Sequence, residues 1–248
     1  MMATQPIVEL TDELKQKLTS VSTATITSQL QRLGYQNCFL SGLRPLAENQ
    51  SMVGYAHTLR YLPARPDIAG LMGFNAQKEA AESIEPGEVL IIEARGESDA
   101  GTIGDIYALR AQYRGCVGVI TDGALRDTPA IKALGMPVYH QASHAAVLSR
   151  LHSPLDHQVP IACAGVAVMP GDVIVGDGEG AVVIPVALVE EIAEASVAME
   201  IREEFAIERV RAGGSTRDYF PLHKDKRPEY DAWLEERKTS QNGPASNG

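Results

Sequence analysis

The chain has 248 residues, 44% of them apolar, and a formal net charge of −10 with an isoelectric point near 5.1. The apolar share suffices for a substantial buried core, in one large domain or two small ones. The acidic balance, without a long Lys/Arg run, argues against binding to nucleic acid or to an anionic membrane. Cys38, Cys116 and Cys163 are far apart, odd in number and lack CxxC spacing, which argues against a disulfide framework or a zinc knuckle and makes a reducing cytoplasm the expected location. The N-terminus lacks a basic region followed by an apolar core, and no run of eighteen apolar residues occurs, so no membrane segment is expected.

In chain order, Thr11-Asp12-Glu13 and Ser22-Thr23 read as two helix starts, the second helix stopping at Gly34. Residues 52–62 mix apolar and polar positions in strand fashion, with Gly54 as a candidate bulge and Pro63 and Pro66 as terminators. A helix over 67–82 is weakened by Gly70 and Gly73, and Pro86-Gly87-Glu88 turns into a buried strand over 89–92. At 101–127, GTIGDIYALRAQYRGCVGVITDGALRD, a glycine-bearing loop leads to a helix start at Asp105. Ile106, Leu109 and Tyr113 recur at helical spacing, Gly115 stops the helix, and 117–121 form a strand that Asp122-Gly123 ends. Arg126-Asp127 therefore lies at a strand exit. In α/β sheets ligands favour that end of the strands, beside helix N-termini whose N–H groups attract anions.

Further on, 128–134 read as a helix and Pro137-Val138-Tyr139 enters another strand. Short strand candidates follow at 162–168, 172–175 and 181–184, with Gly176, Gly178 and Gly180 read as a hairpin turn. Residues 186–211 form a long helix with Val189, Ile192, Ala193 and Val197 on one stripe and a charged later part. His140 and His144, four apart, could share a helix face, but HQASH lacks the Glu of a zinc-protease motif, and a structural or pocket-edge role is expected. His152 and His157 flank Pro154 and read as loop residues. Cys116 and Cys163, in apolar strand contexts, read as buried thiols.

Asp105, a twenty-residue spacer over 106–125, then Arg126-Asp127 is a signature. With DG-A-L-RD, the following LGMPV and the run VPIACAGVAVMPGDVIVGDGEGAVVIP, the chain from about Leu10 to about Tyr219 resembles the RraA-like family. That family contains 4-hydroxy-4-methyl-2-oxoglutarate aldolase and the regulator of ribonuclease E activity A. The resemblance implies an α/β fold of αββα-sandwich type, a swivelling β/β/α single domain over 9–220. It would have a flexible N-terminus at 1–8, a C-terminal extension at 221–238 and a disordered tail at 239–248. It also implies a homotrimer or a dimer of trimers with active sites between subunits, and divalent-metal catalysis with Mg²⁺ or Mn²⁺. On that resemblance Asp127 would hold the metal, directly or through water, and Arg126 would contact the keto and enolate oxygen of a pyruvate unit. Asp105 would position or deprotonate a metal-bound water, and the N–H groups around Gly104, Asp105, Ile106 and Tyr107 would hold the pyruvate carboxylate. An acidic residue from a neighbouring subunit would approach the metal, matching Glu203 or its neighbour Glu204.

Chemistry agrees with that implication. Cleaving a carbon–carbon bond next to a 2-oxo acid leaves an enolate, which needs a metal, a cation or a Schiff-base lysine, and 101–127 contains no lysine. The expected function is a cytoplasmic class II pyruvate aldolase, a carbon–carbon lyase acting on a 4-hydroxy-2-oxo acid, with oxaloacetate decarboxylase activity through the same enolate. The alternative is a non-catalytic regulator that binds a protein of RNA processing, as the family's name-giving member does. The family also carries an annotation as a menaquinone methyltransferase, which no Gly-rich methyl-donor loop here supports.

Overall fold

A computed structural model describes residues 8–67 and 75–241. The chain divides into two compact units, Met1–Glu194 and Ala195–Gly248.

In the first unit both expected N-caps form. Thr11 Oγ1 accepts from Leu14 N–H at the head of α1 (Asp12–Ser20), and Ser22 Oγ accepts from Thr25 N–H at the head of α2 (Thr23–Arg32). The chain is ordered further towards the start than expected, because Tyr55 Oη donates to the Val8 carbonyl at 2.6 Å.

The first unit is built around a nine-stranded mixed sheet. Its parallel centre consists of β2 (Met52–Pro63), β3 (Glu88–Glu93), β5 (Gly118–Leu125) and β6 (Val138–Ser143). Helices α3 (Ala76–Ser83), α4 (Asp105–Arg114) and α5 (Thr128–Ala133) lie between successive strands of this centre in the chain, as parallel neighbours require. Side chains of β3 alternate between two cores. Val89 and Ile91 join a cluster with Ile161, Val168 and Ile174, whereas Leu90 and Ile92 join one with Ala80, Ala108, Ala111 and Ile131. The sheet is therefore buried on both faces, and this is why 89–92 reads as a continuous apolar run. The short strands are β1 (Arg44–Pro45) on β6, β4 (Gly101–Ile103) on β5, β7 (His152–His157) on β2, and the hairpin of β10 (Val173–Gly176) and β11 (Ala181–Ile184).

Tertiary contacts revise several local readings. Asp122-Gly123 does not end a strand: β5 continues through it to Leu125, with a register shift against β6 between Thr121 and Ala124. A Cβ on Gly123 would meet Thr102 Cγ2 at 2.6 Å and Ala94 Cβ at 2.7 Å, so glycine is there for close packing. Gly54 likewise marks a close approach, its missing Cβ 2.5 Å from the Gly87 carbonyl, while the irregularity of β2 falls between Arg60 and Tyr61. Residues 162–168 are not one strand but a separate antiparallel pair, β8 (Ile161–Cys163) and β9 (Val166–Val168), with Ala164 and Gly165 at positive φ in the turn. His140 lies on β6 and not on a helix, and His152 and His157 are the two ends of β7 and not loop residues. Of the helix expected over 67–82, residues 68–74 lie outside the described residues.

The long helix α6 (Val189–Arg211) follows a single 3-10 turn, Val186–Leu188, and Val189, Ile192 and Ala193 are buried. In the second unit Phe205 is fully buried against Tyr219, Tyr230 and Trp233, with ring centroids 5.3–5.8 Å apart. These aromatics come from α6, α7 (Thr216–Tyr219) and α8 (Arg227–Gln241). The last helix runs to Gln241, beyond the expected limit of ordered structure at 238, and Thr239 Oγ1 donates to the Glu235 carbonyl. Among the described residues, no helix is long and apolar enough to cross a membrane.

Candidate active site

Two chain ends separated by twenty residues are brought side by side by one strand pairing. Gly101 pairs with Ala124 and Ile103 with Leu125, and Arg126 N–H donates to the Ile103 carbonyl at 3.0 Å. Gly104 then caps α4 in extended backbone, so Asp105 opens the helix beside Arg126 and Asp127 as they leave β5. Close approach explains both glycines of the loop. A Cβ on Gly101 would lie 2.6 Å from Arg126 Cβ, and one on Gly104 would lie 3.0 Å from Asp127 Oδ2.

Asp127 sits at φ 58°, a left-handed conformation uncommon for a residue with a side chain. It occupies the N-cap position of α5, yet its carboxylate makes no cap hydrogen bond. Its Oδ2 is 3.7 Å from Arg126 Nε, and both side chains are about two-fifths exposed, at 40% and 45%. Asp105 Oδ1 accepts from Ile106 N–H at 2.8 Å. Helix geometry leaves the first-turn N–H groups of Asp105 and Tyr107 without an intrahelical acceptor.

These groups line a cleft of about 480 Å³ bounded by 101–107, Arg126, Asp127, Gln77 and 147–149. Its floor is rigid. The Thr102 carbonyl accepts from Tyr61 Oη at 2.9 Å and Gln77 Nε2 at 2.7 Å, while Thr102 Oγ1 donates to the Ala124 carbonyl. Burial pushes the Tyr61 phenol well above its usual range, so it stays a neutral donor.

Gly104, Asp105, Ile106, Tyr107, Arg126 and Asp127 thus all line one cleft. Glu203 lies on α6 in the second unit and is not among the lining residues; its neighbour Glu204 is ion-paired with Arg237. His140 and His144 are not lining residues either. His140 Nδ1 bonds the Ala142 carbonyl and burial lowers its pKa, while His144 Nδ1 accepts from Ala146 N–H. Burial raises the Cys116 and Cys163 thiols, as expected of structural cysteines.

Gln77 and Val147–Ser149 escaped the sequence reading because no local pattern marks them. They reach the cleft through long-range bonds such as Gly101 N–H to the Ala146 carbonyl, 3.0 Å. Asp122 carried a misread signal: its buried carboxylate accepts N–H bonds from Ala94, Gly96 and Ala164, tying the loop after β3 and the turn between β8 and β9 to β5.

Among the described residues, no group of three or more His, Cys, Asp or Glu is arranged to hold a metal ion. The cleft offers two carboxylates, Asp105 and Asp127, the second uncommitted to its helix cap. That donor set does not suit zinc, but it fits a hard divalent cation that keeps most of its water and binds through one or two carboxylates.

The chain was compared with known proteins. A 4-hydroxy-4-methyl-2-oxoglutarate aldolase, so named provisionally, from Halalkalibacterium halodurans is 37% identical over 145 residues, 58% of this chain and 65% of that protein. Protein DlpA of Legionella pneumophila is 27% identical over 82% of this chain but only 32% of its own length. The chain therefore spans less than two thirds of either relative. The crystal structure of Streptomyces coelicolor RraAS2, described as an unusual member of the RNase ES inhibitor RraA protein family, superposes with a TM-score of 0.74. It is 33% identical, over 81% of this chain and 98% of that one. The expected α/β fold of RraA-like type, with a helical C-terminal extension, is thus the observed one. The family model for RraA-like proteins, described as Aldolase/RraA, matches residues 23–183, well over half of the sequence, and the chain belongs to that family.

Proposed function

We propose that this protein is a divalent-metal-dependent lyase that cleaves a 4-hydroxy-2-oxo acid to pyruvate and a carbonyl product, and decarboxylates oxaloacetate through the same enolate. The observation that carries the reading is the convergence of the α4 N-terminus, Asp105, Arg126 and Asp127 on one cleft. First-turn N–H groups of α4 hold the substrate carboxylate. Asp127, with Asp105 lining the same cleft, would hold Mg²⁺ or Mn²⁺, which when bound would supply Lewis-acid stabilisation of charge on the keto oxygen. The Arg126 guanidinium faces that same oxygen and stabilises the negative charge it gains.

Asp105, acting through a water molecule, takes the proton of the substrate's 4-hydroxyl. As that oxygen becomes a carbonyl, the bond between carbons 3 and 4 breaks and its electron pair forms the pyruvate enolate. Carbon 3 then takes a proton to give pyruvate. In oxaloacetate the same electron pair is released by loss of carbon dioxide, so Arg126 has the same task. Ile106, Leu109 and Tyr113 form an outward stripe on α4, exposed by 54–80%, which supports a subunit contact through this helix; the cytoplasmic homotrimer or dimer of trimers itself is what the family resemblance implies. In that assembly Glu203 of a neighbouring copy would approach the metal, as the resemblance implies.

A non-catalytic role as a regulator of RNA processing is the second reading, favoured by the 33% identity to the Streptomyces coelicolor protein. Pyruvate release from oxaloacetate, with Mg²⁺, with Mn²⁺ and with excess chelator, separates the two readings. Arg126→Ala, Asp127→Ala and a no-enzyme control belong in the same assay. Metal-dependent turnover absent from both variants supports the lyase; a wild-type rate equal to the control under every condition favours the regulator.

A further inference from the structure

Gln77, the second residue of α3, lines the cleft although it is nine-tenths buried, at 7% exposure. Its amide has one allowed orientation. Nε2 donates to the Thr102 carbonyl at 2.7 Å and to Tyr61 Oη at 2.9 Å, while Tyr61 Oη itself donates to that same carbonyl at 2.9 Å. A carbonyl can only accept, and the Tyr61 proton is already spent on it, so neither group has a proton for an amide oxygen. Turning the amide over would set Oε1 against two acceptors.

Oε1 is therefore the atom left for the cleft. Among the described residues it accepts no hydrogen bond, and it is not one of the buried polar atoms cut off from solvent. The cleft thus presents an uncharged acceptor on a side chain that packing and its bonds to Tyr61 and Thr102 hold still. Water can serve such an acceptor, and a ligand that displaces the water keeps its affinity only if it brings a donor of its own. An alkyl group there would leave Oε1 unpaired.

Asp105 and Asp127 are acceptors too, but in the proposed reaction one handles a proton and the other a metal ion. The Gln77 amide is neutral and takes no proton, so its partner is a hydroxyl that keeps its proton throughout. The 4-hydroxyl does not qualify, since its one proton leaves by way of Asp105. We infer that Gln77 Oε1 accepts a hydrogen bond from a second hydroxyl of the substrate. Gln77 thereby selects 2-oxo acids hydroxylated at a carbon other than carbon 4 over their deoxy counterparts. The inference rests on the lyase reading for the presence of a 2-oxo acid in this cleft.

Calorimetric titration of the full chain in Mg²⁺ compares two pairs of ligands that lack the 4-hydroxyl and so cannot be cleaved by this route. The pairs are hydroxypyruvate with pyruvate, and 5-hydroxy-2-oxopentanoate with 2-oxopentanoate. The hydroxylated member of at least one pair is expected to bind wild type about five- to tenfold more tightly, the effect of one hydrogen bond between neutral groups. Gln77→Met loses the whole amide, and Gln77→Lys keeps a donor for Thr102 and Tyr61 but has no acceptor; both should bring that ratio to about one. Tyr61→Phe loosens the same floor without touching Oε1 and should keep the preference. A ratio near one for both pairs in wild type overturns the inference, as does a preference that survives both Gln77 variants or is lost equally in Tyr61→Phe. In each of those cases, binding that still depends on Arg126 leaves the lyase reading standing. Failure of all four ligands to bind, or indifference of their binding to Arg126→Ala, overturns the lyase reading and the inference with it.

Discussion

Gly104→Ala places a methyl group between the two halves of the site. Its Cβ would lie 3.0 Å from Asp127 Oδ2, closer than ordinary contact, so the carboxylate must retreat by a few tenths of an ångström. A misplacement of about 1 Å can cost about a hundredfold in rate, so a shift of roughly 0.3–0.5 Å should lower kcat/KM about four- to tenfold. Gly104 has φ −111°, which any residue adopts, so backbone strain does not contribute. Alanine is, however, a poor N-cap and should cost up to about 1 kcal/mol in stability. Gly104→Ser separates the effects, because its hydroxyl restores the cap while its Cβ still presses on Asp127. Pyruvate release across a Mn²⁺ titration, beside urea unfolding, is the assay. Both variants should need more metal for half-maximal rate, and only the alanine variant should unfold earlier. If Gly104→Ser had wild-type rate and metal dependence, the claim that Gly104 makes room for a working Asp127 would be wrong.

Arg126→Ala should lower kcat by about 10²–10³, the usual loss of a donor to a developing oxyanion. Its unfolding midpoint should stay near wild type, because the side chain is 45% exposed; a matching stability loss would point to a structural role. Tyr61→Phe removes the hydroxyl between Gln77 and the Thr102 carbonyl and should cost about 1 kcal/mol by urea titration. Phe205→Ala empties the centre of the second unit's aromatic cluster and should cost about 3–5 kcal/mol there. Trp233, the single tryptophan, packs 5.4 Å from Phe205, and its emission should shift red at lower denaturant. Burial pushes the Asp172 carboxyl up to about 6, although Met169 N–H donates to it. The folded value lies above the unfolded one, so folding binds a proton and stability falls as pH rises from about 4 to 6. Asp172→Asn should therefore exceed wild type by roughly 2 kcal/mol at pH 7 and lose that advantage near pH 4. Equal urea midpoints at pH 7 would refute this.

Much of the candidate site was legible because its parts are punctuated locally. Gly104-Asp105 begins a helix, Gly115 ends it at φ 101°, and an apolar run leads to Arg126-Asp127. The part of the lining made by Val147–Ser149 was not legible, since these residues resemble any short connection until Ala146 is bonded to Gly101. The outward stripe on α4 shows the limit of periodicity. Ile106, Leu109 and Tyr113 look like a core face, yet Ala108 and Ala111 are the buried residues, because small side chains let the helix approach the sheet.

The sequence by itself determined the helix starts at Thr11 and Ser22, the buried strand over 89–92, the family signature and the charged residues of the cleft. The groups that decide these lie within a few residues of one another. Only the tertiary structure decided that a Cβ on Gly104 would press on Asp127, that β5 runs through Asp122-Gly123, and that Gln77 and Val147–Ser149 line the cleft. Each of those depends on partners from distant parts of the chain, brought together when β4 pairs with β5 and the sheet closes over both cores.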